Sequence, residues 1–393
     1  MSAGEAAAPK EDAVPTGGGR RALAAVRQAL RLVAAFSRFQ TLLLLYLHMV
    51  FFALCLGLEA TPAGLAGLVV AAVSMSACYV NATAVNDLSD QAADKINLAG
   101  DPSRPLASDL ASPRQVWAVA TVAGLVCLTA AWAVSPWGAL AAAAMLALNA
   151  AYSLPPLRLA SRGALAQVLL PLEYVGFPAV LVLLAVDGWG GLGGLDGWRG
   201  LFGSVGAAGP GELVAVVFQG PDLVAYGLAV VSMYVIFVGR VFLKDIRDEV
   251  GDRATGKLTF TVRHGRRAAI VWSAVTTVAG TVALSFVMWL SYDAGPGFVF
   301  GFCGLSLAGQ LAALVGADRA PTTAGAVLRT GIYSRWISMK VFFYVMVMLL
   351  VRSDLTAGEQ ALALGGVTVA VVSNVAMLYQ QARIQEPSAR RAK

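Results

Sequence analysis

Two groups of aspartates carry the clearest chemical signal in this sequence. Each group has aspartates at i, i+3 and i+7: Asp87, Asp90 and Asp94 in the first, and Asp245, Asp248 and Asp252 in the second. On a helix, this spacing puts three carboxylates on one face, where they repel each other unless a cation lies between them. Mg²⁺ fits, because it takes oxygen ligands and is usually held by one or two carboxylates plus substrate phosphates. The matched spacing predicts two or more Mg²⁺ ions around a diphosphate.

Polar and basic side chains accompany both acidic groups and are predicted to bind the diphosphate. Asn86 joins the first acidic face, one helical turn before an aspartate. Arg104 lies on a proline-stiffened loop and could grip a diphosphate with two parallel hydrogen bonds. Lys244 directly precedes the second group, around which further basic residues, Lys257 among them, could bind the diphosphate in the same way. Arg38 precedes the first apolar run, where it could meet the diphosphate or an acidic acceptor.

The composition excludes an ordinary cytosolic enzyme and a disordered protein. Hydrophobic residues make up 58% of the 393 residues and charged residues 13%, with a mean hydropathy of +0.70. A soluble domain carries about 25% charged residues. The sequence therefore predicts an all-α fold, a polytopic transmembrane helical bundle of nine to ten spans in the lipid bilayer. The apolar segments lie near 39–58, 64–86, 115–134, 137–152, 164–186, 222–243, 267–290, 297–316, 334–352 and 358–381.

The basic residues are placed asymmetrically and predict the orientation of the chain. With the N-terminus in the cytoplasm, nearly all Lys and Arg residues lie on the cytoplasmic side, as the positive-inside rule requires. Both acidic groups and both termini are then cytoplasmic. This placement explains the net charge of +6 without a nucleic-acid partner. The Ala- and Gly-rich composition indicates a bacterial cell membrane.

The expected organisation has three parts. Residues 1–38 form a cytoplasmic segment, disordered and then an amphipathic helix on the membrane surface. Residues 39–381 form the membrane domain, interrupted outside the cell by a glycine-rich loop at 187–221, and residues 382–393 form a cytoplasmic tail. The four cysteines lie apart in apolar stretches without a CxxC pattern, so no zinc or redox site is predicted.

At these motifs the sequence resembles the UbiA superfamily of intramembrane prenyltransferases. Residues 86–94 (NDLSDQAAD) and 245–252 (DIRDEVGD) match the two Asp-rich hallmarks of that family. Residues 104–106 (RPL) and 152–158 (YSLPPLR) are similar to stretches after its second and fourth helices. Residues 256–259 (GKLT) resemble the G-x-x-T that follows the second motif.

The resemblance implies a helical bundle around a central cavity that binds a prenyl diphosphate through Mg²⁺. The six aspartates would be catalytic metal ligands, and ionisation would give an allylic carbocation that a small acceptor attacks. The acceptor is expected to be an aromatic acid or a quinone precursor. Tyr152 and Arg158, within a matched stretch, and Glu173, an acidic residue at membrane depth, are predicted to stabilise the cation or orient the acceptor.

Two alternatives remain open at this point. Some members of the superfamily are terpene cyclases, in which a double bond of the prenyl diphosphate itself attacks the cation. An ion-coupled transporter is disfavoured, because transporter sites lie near the bilayer midplane and both acidic groups are expected at its cytoplasmic edge. The ten apolar segments also exceed the nine spans usual for the family.

Overall fold

The structure, a computed structural model, describes most of the membrane domain. The described residues are 17–57, 62–98, 100–187 and 223–351, with short stretches between 356 and 372. Residues 1–16, nearly all of the glycine-rich loop at 187–221, most of the tenth apolar segment and the tail at 382–393 lie outside them.

Every regular element in these ranges is helical, which confirms the all-α prediction. A 3₁₀ turn at Leu159–Ser161 precedes α6, and a π-helix at Leu172–Gly176 joins α6 to α7. The α-helices are α1 Gly17–Ser37, α2 Phe39–Cys55, α3 Pro62–Asn97, α4 Pro113–Val134, α5 Pro136–Ser153, α6 Ala164–Pro171, α7 Phe177–Asp187, α8 Leu223–Ala254, α9 Phe260–Ser291, α10 Pro296–Asp318 and α11 Thr323–Val351.

Local sequence signals fix several helix starts. Ser112 caps α4 in a reciprocal arrangement: its hydroxyl accepts from the Gln115 amide, and the Gln115 side chain accepts from the Ser112 amide at 2.9 Å. Ser135 caps α5 by accepting from the Gly138 amide at 2.9 Å. A proline follows each cap, where its missing N–H costs nothing.

The number of spans differs from the sequence prediction. Among the described residues, seven helices are long and apolar enough to cross a bilayer, or up to eight if the bent pair α1–α2 forms one span. Helix α5, the fourth predicted span, is not among them. It has 18 residues and carries Asn149 and Tyr152 near its end, where both line a cavity. The predicted nine to ten spans are therefore not confirmed.

The first two helices meet at a sharp bend. Arg38 separates α1 from α2 in a left-handed conformation, with φ 38°, and the helix axes turn by 60°. Helix α1 packs against α3 and α4. Leu32 and Phe36 are buried there, whereas Leu23, Val26 and Leu30 are exposed. Apolar side chains of α1 are thus both buried and exposed, and the amphipathic helix on the membrane surface stays a prediction.

Small residues bring the long helices close together. Helix α8 packs along α9, and a Cβ atom on Gly239 of α8 would lie 2.7 Å from the Thr277 hydroxyl of α9. A Cβ atom on Gly280 of α9 would lie 2.7 Å from the Ser232 carbonyl oxygen. Helix α11 packs against α10 and α2, so the C-terminal helices return to the first span and close the bundle.

A lysine inside the C-terminal helices is fully buried. The Lys340 ammonium on α11 donates to the Thr281 hydroxyl of α9 at 2.6 Å and to the Gln310 side-chain oxygen of α10. These bonds supply the partners that a polar group needs away from water. Lys340 thereby connects three helices.

Candidate functional site

A cavity of about 370 Å³ lies between α3 and α8, with further walls from α2, α5, α11 and the π-helix. Four of the six predicted aspartates line it: Asp90 and Asp94 from α3, and Asp248 and Asp252 from α8. All four predicted diphosphate-binding side chains also line it: Arg38, Asn86, Arg104 and Lys244. The structure thus brings the two acidic groups to one site.

The helical face that meets the cavity differs by one residue from the predicted one. On α3 it runs through Asn86, Asp90 and Asp94 at intervals of four, and on α8 through Lys244, Asp248 and Asp252 at the same intervals. Intervals of four keep side chains on one side of a helix with 3.6 residues per turn. The first aspartate of each motif lies beside this stripe rather than on it.

Those two aspartates make contacts behind the cavity wall. Asp87, 1% exposed, accepts a hydrogen bond from the Leu106 amide at 3.0 Å and so holds the loop that carries Arg104. Asp245, also 1% exposed, accepts from Gln167 of α6 at 3.0 Å and pairs with Lys244. Neither lines the cavity, although Asp87 keeps a buried Oδ1 atom without a hydrogen-bond partner among the described residues, so direct metal ligation by these two aspartates stays a prediction.

Each aspartate on the cavity wall has a basic partner. The Arg104 guanidinium lies 3.3 Å from an Asp94 oxygen, and the Arg247 guanidinium lies 2.8 Å from an Asp248 oxygen. Arg158 approaches Asp90 at 3.3 Å and donates to the Ser89 carbonyl oxygen. Sequence analysis placed Arg158 with the acceptor, whereas here its guanidinium contacts an acidic motif.

Lys257, one of the basic residues that the sequence places around the second motif, is the most enclosed of these cations besides Arg104. Its ammonium lies 2.7 Å from Asp90 of the first motif and 3.8 Å from Asp252 of the second. Burial alone would lower its pKa, but attraction by Asp90 and Asp252 outweighs that effect and raises the pKa, so the side chain stays charged. Lys257 follows Gly256, whose φ of 72° favours glycine, and this Gly-Lys pair in the sequence was the signal that pointed to the position.

Arg104 is likewise buried in the predicted position beside the first motif. Only 5% of the residue is exposed. Burial lowers the pKa of its guanidinium and nearby Arg38 adds to that effect, while Asp94 opposes it. A guanidinium remains charged under such shifts, because its ordinary pKa is above 12. The concentration of positive charge suits an anionic ligand.

Two arginines of the site occupy strained backbone positions. Arg38 and Arg158 are non-glycine residues in the left-handed region, with φ of 38° and 37°. Such conformations cost about 1 kcal/mol or more and persist where the surroundings enforce them, often at functional sites. Arg38 lines the cavity, and its Nε atom is buried without a hydrogen-bond partner in the described structure.

The two motif helices are joined by one asparagine. Asn97, at the end of α3, donates to the Asp248 carbonyl oxygen at 2.9 Å and accepts from the Gly251 amide at 2.7 Å. A Cβ atom on Gly251 would lie 2.6 Å from the Ala93 carbonyl oxygen, so only glycine permits this approach. The crossing fixes the distance between the acidic groups.

A second set of side chains lines the deeper part of the cavity. Glu173, on the π-helix, is 3% exposed and makes no hydrogen bond or ion pair with the described residues. The Tyr152 hydroxyl is buried and also without a hydrogen-bond partner there. Both therefore have hydrogen-bonding capacity left for a ligand.

Arg240 belongs to this deeper set and was missed by sequence analysis. Its guanidinium carbon lies 5.8 Å from the centre of the Tyr174 ring and 5.3 Å from that of Phe237. Its Nη1 atom is buried without a hydrogen-bond partner in the described part of the chain. An arginine within an apolar span is itself a signal of function that could have identified it.

The donor set fits a hard divalent cation, although no ready-made metal cluster is present. Within the described ranges, no three His, Cys, Asp or Glu side chains converge closely enough to hold a metal. Basic side chains lie between the carboxylates instead. Among these residues, Asp252 nevertheless has a buried carboxylate oxygen, Oδ2, without a hydrogen-bond partner, and the Asp94 Oδ2 atom makes the ion pair with Arg104 but no hydrogen bond. Carboxylate oxygens are the ligands that Mg²⁺ takes.

Comparison with known proteins gives the family. The model of the UbiA prenyltransferase family matches residues 43–329, well over half of the chain. A search of the curated proteins finds no match.

Solved structures share the fold at low sequence identity. A UbiA homolog from Aeropyrum pernix K1 is 17% identical with a TM-score of 0.52, covering 79% of this chain and 96% of that one. A digeranylgeranylglyceryl phosphate synthase is 13% identical with a TM-score of 0.50, covering 82% and 98%. A UbiA homolog from Archaeoglobus fulgidus bound to DMAPP and Mg²⁺ is 17% identical with a TM-score of 0.50, covering 82% and 99%.

Proposed function

Because this chain belongs to the UbiA prenyltransferase family, we propose that it transfers a prenyl group from a prenyl diphosphate to a small acceptor inside the membrane. The observation that carries the proposal is the single cavity lined by aspartates of both motifs and by Arg38, Arg104 and Lys244. An aromatic acid or quinone precursor is the proposed class of acceptor.

Asp90, Asp94, Asp248 and Asp252 are the proposed residues that hold Mg²⁺, in two or more ions. Support comes from their place on the cavity wall and from the Archaeoglobus fulgidus homolog, which is described as bound to DMAPP and Mg²⁺. When bound, Mg²⁺ neutralises negative charge on a diphosphate leaving group. Asp87 and Asp245 are proposed to position the Arg104 loop and α6 through the contacts described above.

The basic side chains are proposed to bind the diphosphate. Arg104 and Arg247 lie beside Asp94 and Asp248, so their free N–H groups can reach oxygens of a ligand that enters between the motifs. Asn86 donates to Asp90 at 2.7 Å and keeps that carboxylate oriented toward the cavity. Once the carbon–oxygen bond breaks, these donors stabilise the departing diphosphate.

The deeper residues are proposed to serve the carbocation and the acceptor. The Tyr79 and Tyr174 rings lie 6.0 Å apart on the wall, and such faces attract a cation through their negative quadrupole. The Tyr152 hydroxyl and the Glu173 carboxyl have no other described partner and can hydrogen-bond an acceptor. Arg38 and Arg240 can pair with an anionic group on it.

Product analysis with and without an acceptor tests this function against the cyclase alternative. Purified protein in detergent would receive prenyl diphosphates of several lengths with Mg²⁺, alone and with aromatic hydroxy acids or quinone precursors. We expect a prenylated acceptor, with little diphosphate release when no acceptor is added. A cyclic hydrocarbon or terpene alcohol formed without acceptor would identify a cyclase. No Mg²⁺-dependent release under any condition would contradict both.

A further inference from the structure

We propose that Lys257 occupies the place of a divalent cation between the two acidic motifs when no metal is bound, and that its ammonium moves to the diphosphate when metal and substrate bind together. The inference rests on the proposed function, since it concerns how the same site is loaded. It assigns Lys257 a role in diphosphate binding.

The Lys257 ammonium lies where a cation between the two motifs would lie. It lies 2.7 Å from an Asp90 oxygen and 3.8 Å from an Asp252 oxygen, so it touches one motif on α3 and the other on α8. Among the described residues, no other cation pairs with aspartates of both motifs. A charge in this place relieves the repulsion that facing carboxylates would otherwise suffer.

The backbone of Lys257 is fixed, whereas its side chain is free to change partners. Its backbone lies outside the helices, in the short connection between α8 and α9, and its amide donates to the Asp252 carbonyl oxygen at 2.8 Å. The backbone is thus fixed beside the site, whereas the four-carbon side chain can swing between partners. Lys257 also lines the cavity, so a ligand there is within reach of its ammonium.

Energetics then link the two ligands. A metal ion that arrives alone must displace the ammonium from Asp90 and Asp252, which leaves a buried charge unpaired and is costly. A diphosphate that arrives with the metal gives the ammonium new oxygen partners. Each ligand therefore raises the affinity of the other, and Lys257 transmits part of that coupling.

Mn²⁺ binding to the protein in detergent tests the proposal by equilibrium dialysis, in which protein-bound metal is separated from both free Mn²⁺ and its soluble diphosphate complex without any turnover. We expect inorganic diphosphate to raise the Mn²⁺ affinity of the wild type by about tenfold or more. Lys257→Met should bind Mn²⁺ alone about tenfold more tightly than the wild type and should lose most of the coupling.

The matched control is Arg253→Met, one turn from Lys257. Arg253 pairs with Glu249 on the exposed side of α8 and with none of the aspartates on the cavity wall, so its loss should change Mn²⁺ affinity by less than about twofold. Lys257→Arg should keep the coupling.

Two results would overturn the proposal. One is a Lys257→Met protein whose Mn²⁺ affinity without diphosphate equals that of the wild type. The other is a wild-type protein whose Mn²⁺ affinity does not change when diphosphate is added. This second result does not depend on whether a variant folds. Failure of the proposed function would look different: metal and diphosphate would bind with coupling, yet no prenyl diphosphate would be consumed.

Discussion

At the scale of single residues, the cavity wall alternates acidic and basic groups so that its charges are balanced before any ligand binds. Asp94 faces Arg104, Asp248 faces Arg247, and Asp90 faces both Lys257 and Arg158. Buried charges are tolerated only when they are paired in this way. The aspartates and the basic groups are therefore each available to exchange partners with a metal and a diphosphate.

Loss of one cavity-facing carboxylate should abolish turnover without unfolding the protein. We expect Asp248→Asn to reduce prenyl transfer by about 100-fold or more, because a metal ligand beside the leaving group is lost. Asp109→Asn is the control: the Asp109 side chain is 82% exposed, pairs with Lys95 alone among the described residues, and has a left-handed φ of 57° that asparagine tolerates. Product formation and thermal melting would be measured for both, and near-normal turnover by Asp248→Asn would contradict the assignment.

The sequence predicted most of the residues that form the site, but it did not predict how their side chains are arranged. Residues 86–94 and 245–252 pointed to an acidic site because paired carboxylates in apolar chains demand a cation. The spacing could not show that Asp87 and Asp245 turn away, because the Leu106 amide and Gln167 that hold them are distant in sequence. Arg240 was overlooked, and Lys257 was predicted only as one of several basic residues near the second motif, because the partners of both appear only in the fold.

At the scale of helices, the site depends on how closely α3 and α8 cross. Asn97 bonds to α8 at two backbone positions, and Gly251 leaves the room for it. The sequence predicted both helices and their motifs, but the glycine within the second motif gave no hint of a helix crossing. Helix packing is set by contacts between residues that are far apart in the chain, and a single sequence does not show which of these residues are in contact.

A methyl group at the crossing should separate the motifs. In Gly251→Ala, the added carbon would lie 2.5 Å from the side-chain nitrogen of Asn97 and 2.6 Å from the Ala93 carbonyl oxygen, so the helices must shift. We expect turnover by Gly251→Ala to fall by about 100-fold, because displacing catalytic groups by roughly 1 Å costs about that much in rate.

Gly227→Ala, on the same helix, is the matched control, since its added carbon meets nothing within 4 Å. Alanine favours a helix by about 1 kcal/mol over glycine, so this variant should keep its activity and melt no lower than the wild type. Equal activity of the two variants would show that the crossing does not set the geometry of the site.

At the scale of the whole molecule, the charged cavity lies where α3 and α8 carry the two motifs near their C-terminal ends. The all-α membrane fold and the family were predicted from composition and motifs, and both are confirmed. The span count was not confirmed: seven described helices, or up to eight, are long and apolar enough to cross a bilayer, and most of the tenth apolar segment lies outside the described residues. The cytoplasmic orientation of the acidic motifs stays a prediction from the distribution of Lys and Arg.

The most direct test of the central claim is the equilibrium binding of a non-reactive prenyl thiodiphosphate to the purified protein. The account predicts tight binding that requires Mg²⁺, is abolished by a chelator, and falls by about 100-fold or more when either Asp90 or Asp248 is replaced by alanine. Binding that survives the chelator, or that persists unchanged after loss of either aspartate, would contradict a single metal-dependent diphosphate site built from both motifs.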